Sequence, residues 1–200
     1  MTKIKFCGLS RPCDIEAANE LGADYIGFVF WPGSKRYVSI EQAAELKKRL
    51  SEEIKAVGVF VDEAPERVAD LLERGVIDIA QLHGKEDESY IERLRELTDH
   101  PIIRAVKVKS RDDLERAAGS TADYLLLDAG AGDGAVFDWS VAKGIGRPYF
   151  LAGGLAPQNA REAIRALHPY AVDVSSGIET DGRKDREKMA AFADAVRKEI

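Results

Sequence analysis

Leu151-Ala152-Gly153-Gly154-Leu155 and Ser175-Ser176-Gly177-Ile178 are the two stretches whose reading decides the fold. They follow the short apolar runs Tyr149–Ala152 and Ala171–Ser175, which have the length and composition of buried strands. Glycine allows close approach to the backbone, and serine adds a hydroxyl donor. Backbone N–H groups in such loops, or at a helix start, hold phosphate. Two loops of this kind after consecutive strands fit the last two loops of an α/β barrel, where a substrate phosphate often sits. No basic residue lies in either stretch, so the backbone is expected to hold the anion without a dedicated lysine.

Upstream, apolar runs at Lys3–Cys7, Tyr25–Phe30, Ala56–Val61, Ile77–His83, Ile102–Val108 and Tyr124–Asp128 read as six further strands. Helical patterns separate them. Pro12 suits a first turn, with a stop at Gly22; Ser39 and Gln42 form a capping-box pattern before a helix running to about Leu50. Pro65 opens a third helix closed by Gly75, Pro157 opens the seventh, and the last runs from Lys184 onward. Asp138–Gly146 is too rich in glycine for a long helix. Eight strands with crossovers fit a closed (β/α)8 barrel of the TIM type or a doubly wound open sheet. The paired phosphate loops choose the barrel.

The chain has 200 residues, enough for one core and near the lower end for such a barrel. No linker, low-complexity tract or charge block divides it, so residues 1–200 are expected to form a single domain. A net charge of −6 argues against a general affinity for nucleic acid or anionic membrane. The expected partner is a small anionic molecule. No apolar run approaches the ~18 residues of a membrane span, and the N-terminus lacks a signal-peptide core; a cytoplasmic protein is expected. Cys7 and Cys13 form neither a disulfide framework nor a zinc motif.

Polar or reactive residues stand where strands end, which is where barrel enzymes build their sites. In Lys5-Phe6-Cys7-Gly8, alternation sends Lys5 and Cys7 inward and Ile4 and Phe6 outward. Cys7 is then either a small buried hydrophobe or a reactive thiol; Lys5 below it favours the second, since a cation lowers a thiol's pKa. Lys5 needs a carboxylate partner, and Asp173 on the adjoining eighth strand is the candidate. Asp173 fits either that role, with Lys5 or Arg104, or a ligand for sugar hydroxyls. Asp128 closes strand six before Ala129-Gly130-Ala131-Gly132-Asp133-Gly134, a loop rather than a helix start, leaving a carboxyl available as an acid. The glycine spacing there rejects a dinucleotide fingerprint and fits a loop that moves over substrate or a structural turn. His83 is a structural histidine or a substrate ligand. Arg36 is a solvated loop residue or a planar fork for a carboxylate.

Along nearly the whole chain these pieces resemble the phosphoribosylanthranilate isomerases of tryptophan biosynthesis. The marks are Lys5-Phe6-Cys7-Gly8, Gly27-Phe28-Val29-Phe30, Ser34-Lys35-Arg36-Tyr37, Val57-Gly58-Val59-Phe60, Gln81-Leu82-His83-Gly84, Leu126-Leu127-Asp128, Phe137-Asp138-Trp139, Gly153-Gly154-Leu155 and Val172-Asp173-Val174-Ser175-Ser176-Gly177. The resemblance implies an Amadori rearrangement of N-(5-phosphoribosyl)anthranilate by general acid–base catalysis, without metal or redox cofactor. It makes Asp128 the general acid and Cys7 the general base. Arg36 would bind the anthranilate carboxylate, Asp173 the sugar hydroxyls, and Gly154 with Ser176-Gly177 the phosphate; Gly153, Ser175 and His83 belong to the same expected site. A monomer or homodimer is expected. The chain departs from the family pattern at Asp133 and at Ala156, before Pro157. The competing readings are an indole-glycerol-phosphate synthase, a pentose-phosphate epimerase, or a barrel that binds a phosphosugar without turning it over. Three histidines, with only His83 at a strand end, argue against the epimerase's metal site.

Overall fold

The computed structural model of the chain describes residues 1–108, 110–128 and 145–198. Eight parallel strands close into a barrel in the order β1 to β8. They are β1 Lys3–Cys7, β2 Tyr25–Val29, β3 Lys55–Phe60, β4 Ile79–Leu82, β5 Ile102–Lys107, β6 Tyr124–Asp128, β7 Tyr149–Ala152 and β8 Ala171–Val174. Among the described residues the α-helices are α1 Pro12–Glu20, α2 Ile40–Lys47, α3 Pro65–Glu73, α4 Glu88–Arg95, α5 Arg111–Ala118, α6 Ala160–Leu167 and α7 Arg186–Arg197. This is the (β/α)8 architecture expected from the sequence. The expected loop around Asp133, the Phe137-Asp138-Trp139 motif and most of Asp138–Gly146 lie outside the described residues.

Period-two alternation sorts the core into two shells. Ile4, Phe6, Ile26, Phe28, Phe60 and Leu127 point outward and pack under the helices in one large cluster. Tyr25, Val57, Ile79, Ile103, Leu126 and Phe150 fill the barrel interior, and Cys7, Val29 and Val59 form a small group of their own. Lys5, Gln81 and Asp173 share the inward side and are buried.

Several local expectations are corrected. α6 begins at Ala160, not at Pro157, because Asn159 carries the turn: its Oδ1 accepts from Ala156 N at 2.8 Å and its Nδ2 donates to Gly154 O at 2.9 Å. α7 begins at Arg186, capped by Asp185, whose side chain accepts from Glu187 N and Lys188 N. Ser39 caps α2 by accepting from Gln42 N at 3.1 Å, but the Gln42 amide does not close a capping box; it donates to Ser10 O at 2.7 Å. Glu179–Thr180 and Arg183–Lys184 form a two-stranded hairpin, β9 and β10. Its turn holds Asp181 at φ 51 and Gly182 at φ 75, the paired positive φ of a tight hairpin for which Asp-Gly is favoured.

Candidate active site

The C-terminal mouth of the barrel gathers the polar groups. Lys5 is fully buried, and its Nζ donates to Asp173 Oδ1 at 2.8 Å. The two are register neighbours on β1 and β8. Arg104, the other partner considered for Asp173, pairs with Glu88 instead. Burial pulls the Lys5 ammonium down, but the charges of Asp173 and Cys7 outweigh it and its pKa is raised. Cys7 ends β1 beside Gly27 of β2. A Cβ on Gly27 would lie 2.8 Å from Cys7 Sγ, so the missing side chain makes the space for the thiol. Burial pushes the Cys7 thiol up, Lys5 pulls it down, and Asp173 adds to the rise; the net shift is upward. The lysine therefore opposes the desolvation of the thiol without reversing it.

Asp128 ends β6 and faces His83, which follows β4, with Nε2 to Oδ2 at 3.4 Å. Gln81, buried one pleat deeper, lies 3.0 Å from His83 Nδ1 through its Nε2. With Gln81 donating to Nδ1, the imidazole proton sits on Nε2 and points at Asp128. That assignment leaves Gln81 Oε1 buried without a partner among the described residues. His83 thus stands against the expected acid.

The two glycine-rich loops meet at one contact. A Cβ on Gly177 would lie 2.0 Å from the carbonyl oxygen of Leu155; only glycine lets the loop after β8 pack onto the loop after β7. Gly153 and Gly154 turn the chain there with φ 85 and φ 65. Ser176–Ile178 forms one 3-10 turn. The Ser175 hydroxyl donates to the Cys7 carbonyl at 3.1 Å, so it ties the loop to β1. A lysine stands behind this loop: Lys184, nearly buried, donates through Nζ to Ser175 O at 2.9 Å. Burial holds its pKa below the ordinary lysine value despite Glu179.

Arg36 is not a free loop cation. Its Nε and Nη2 donate to Glu179 Oε1 and Oε2 at 2.5 and 2.8 Å. Lys184 Nζ donates to the same Glu179 Oε1 at 2.7 Å. Burial pushes the Glu179 carboxyl up, but hydrogen bonds from Arg36 and Lys184 outweigh it and bring the pKa to about 2. Sequence reasoning missed Glu179 and Lys184. The signal was Asp181-Gly182, which marks a hairpin and sets its flanking residues opposite one another.

A cleft of about 670 Å³ opens at the starts of α3 and α4, lined by Asp62, Glu63, Glu86 and Tyr90 among others and by none of the groups above. Glu86 there is committed to the Asp62 and Gly84 amides, each at 2.7 Å, so its carboxylate does structural duty. Among the described residues no group of three or more His, Cys, Asp or Glu side chains could hold a metal ion. No helix among them is long and apolar enough to cross a membrane.

The family model described as N-(5'phosphoribosyl)anthranilate (PRA) isomerase matches residues 4–195. The chain belongs to this family. An N-(5'-phosphoribosyl)anthranilate isomerase of Streptococcus mutans is 46% identical over 202 residues, spanning 99% of this chain and 100% of the relative. The crystal structure of the Thermotoga maritima phosphoribosyl anthranilate isomerase superposes with a TM-score of 0.91 at 37% identity, covering 99% of this chain and 100% of the other. A phosphoribosyl anthranilate isomerase in complex with reduced 1-(o-carboxyphenylamino)-1-deoxyribulose 5-phosphate gives 0.88, at the same identity and coverage. Within this family, the site described above lies at the end of the barrel where β/α enzymes carry their chemistry.

Proposed function

We propose that the chain is an aldose–ketose isomerase acting in tryptophan biosynthesis, converting N-(5'-phosphoribosyl)anthranilate to 1-(o-carboxyphenylamino)-1-deoxyribulose 5-phosphate. The observation that carries this is an acid-type and a base-type residue, Asp128 and Cys7, ending β6 and β1 at one mouth that also holds the two joined glycine loops. In the proposed course, Asp128 donates its proton to the ring oxygen as the C1–O bond breaks, leaving a protonated Schiff base between C1 and the aryl nitrogen. Cys7, as thiolate, takes the C2 proton; the electron pair moves to neutralise the iminium, giving an enolamine. Protonation at C1 and loss of the C2 hydroxyl proton give the ketone. One acid and one base in different protonation states suffice.

The raised thiol pKa fits this order of events. The thiol gives its proton to solvent before C2 is attacked; the adjacent iminium cation favours that ionisation against burial and Asp173, and a thiolate formed from a thiol of raised pKa is a strong base. Backbone amides of Gly153, Gly154, Ser176 and Gly177 would hold the phosphate, with Lys184 adding positive charge behind the Ser175 carbonyl. Asp173, 8% exposed beside Lys5, would meet the sugar hydroxyls, His83 would adjoin them through Asp128, and Arg36 would take the anthranilate carboxylate. The whole chain would act as one domain in the cytoplasm, as a monomer or homodimer whose described site residues all come from one chain.

The test is a fluorescence assay for loss of N-(5'-phosphoribosyl)anthranilate, run with and without a chelator. Turnover by purified protein, unchanged by chelation, is the expected result. No turnover, or turnover abolished by the chelator, would refute the reading.

A further inference from the structure

Resting on that reading, we propose that Glu179 is a positioning residue for substrate recognition, which takes one edge of the Arg36 guanidinium and thereby aims the other edge at the aryl carboxylate. An arginine fork has five N–H donors on two usable edges. Glu179 occupies the side edge, Nε with Nη2, in a bidentate pair at 2.5 and 2.8 Å. The end edge, both Nη1 hydrogens and the second Nη2 hydrogen, has no partner among the described residues. That edge matches a second carboxylate. The arginine is held on its other flank too: a Cβ on Gly8 would lie 2.4 Å from Arg36 Cδ, so the aliphatic stem runs tight across the end of β1.

Glu179 is itself fixed rather than mobile. Its side chain is 6% exposed, and Lys184, with a side chain 2% exposed, grips Oε1 from the far side. Lys35 adds a weaker contact to Oε2 at 3.6 Å. Pairing Arg36 with a carboxylate would by itself cancel the charge meant for the substrate. With Arg36, Lys184 and Lys35 set against one Glu179, the cluster stays net positive towards a ligand carrying a carboxylate and a phosphate. Because Lys184 also holds the Ser175 carbonyl, one buried glutamate joins the arginine to the loop expected to bind phosphate.

A competing role makes the opposite prediction. If Glu179 merely fills the fork until substrate displaces it, removing its charge should tighten binding. The test titrates wild type and Glu179→Gln with two probes: reduced 1-(o-carboxyphenylamino)-1-deoxyribulose 5-phosphate, and its counterpart made from aniline, lacking the carboxylate. Positioning predicts that Glu179→Gln weakens the carboxylate probe on the order of tenfold and the aniline probe far less, any effect on the latter passing through Lys184 and the Ser175 loop, with KM raised and kcat changed little in turnover. In an Arg36→Ala background the same substitution should have no further effect on the carboxylate probe. Tighter binding, or equal weakening of both probes, overturns the positioning role while leaving the isomerase reading intact. Wild type that binds neither probe and turns over no substrate overturns that reading, and the positioning role with it.

Discussion

At the N-terminal end of the barrel the interior is aromatic, and at the C-terminal end it is ionic. Phe150 meets Tyr25, Tyr124 and Tyr170 at centroid distances of 5.2, 5.7 and 5.7 Å, largely edge to face. The polar tips there satisfy one another: the Tyr25 and Tyr170 hydroxyls are 2.9 Å apart, and Lys3 Nζ stands 5.0 Å from the Tyr170 ring centre. A pleat or two along the same strands, the inward positions become Lys5, Cys7, Gln81, Asp128 and Asp173. The floor sets its polar atoms in pairs; the mouth keeps a raised thiol, a buried ammonium–carboxylate pair and a buried amide oxygen without a partner among the described residues. Local rules are obeyed where the barrel is only held together and broken where it is expected to act.

If that division is right, mutations should separate the two ends. The largest effect belongs to the mouth. Cys7→Ser and Asp128→Asn should each lower turnover roughly 10²–10⁴-fold, the range for general acid–base groups, while urea midpoints stay close to wild type. Steady-state kinetics on folded protein check this, and near-normal turnover in either variant would remove that residue from its role.

The converse change belongs to the floor. Phe150→Ala deletes the ring that joins three others and should destabilise the protein by about 3–5 kcal/mol. Turnover per folded molecule should remain near wild type below the unfolding transition. Equilibrium urea unfolding beside an active-site titration reads both quantities. A selective fall in turnover, with stability kept, would show that the two ends are not separable.

The inward placement of Lys5 and Cys7 and the outward placement of Ile4 and Phe6 were legible because a strand alternates with period two, needing no long-range information. The Lys5–Asp173 pair was legible because a closed barrel makes β1 and β8 neighbours. The approach of His83 to Asp128 was not, since it joins residues after β4 and at the end of β6 across an interior whose diameter no local pattern encodes. Glu179 and Lys184 were hidden by size: each lies in a strand of two residues, too short to show periodicity, so the sequence offered Arg36 as a solvated cation or a carboxylate fork without showing the glutamate that it pairs with. Pro157 misled because proline favours a helix start generally, whereas here the Asn159 side chain determines where α6 begins.

The smallest expected effect is the most discriminating about the mouth itself. Lys5 lowers the Cys7 pKa, but burial is the larger influence and acts upward, with Asp173 adding to the rise. Lys5→Met removes the larger of the two influences that favour the thiolate, Lys184 supplying the other, and leaves the Asp173 carboxylate without its ion-pair partner. Both changes act in the same direction, so the apparent pKa of Cys7, followed by rate of alkylation against pH, should move further up. The double variant Lys5→Met/Asp173→Asn removes both charges. There the pKa should fall back towards the wild-type value yet remain above that of an ordinary exposed thiol, because the desolvation is untouched. A double variant that titrates like an exposed thiol would mean the ion pair, not burial, sets the protonation of Cys7. An unchanged pKa in Lys5→Met would reduce Lys5 to packing within the barrel. The folded state of both variants is checked by their far-UV spectra, since an unpaired buried Asp173 is itself destabilising.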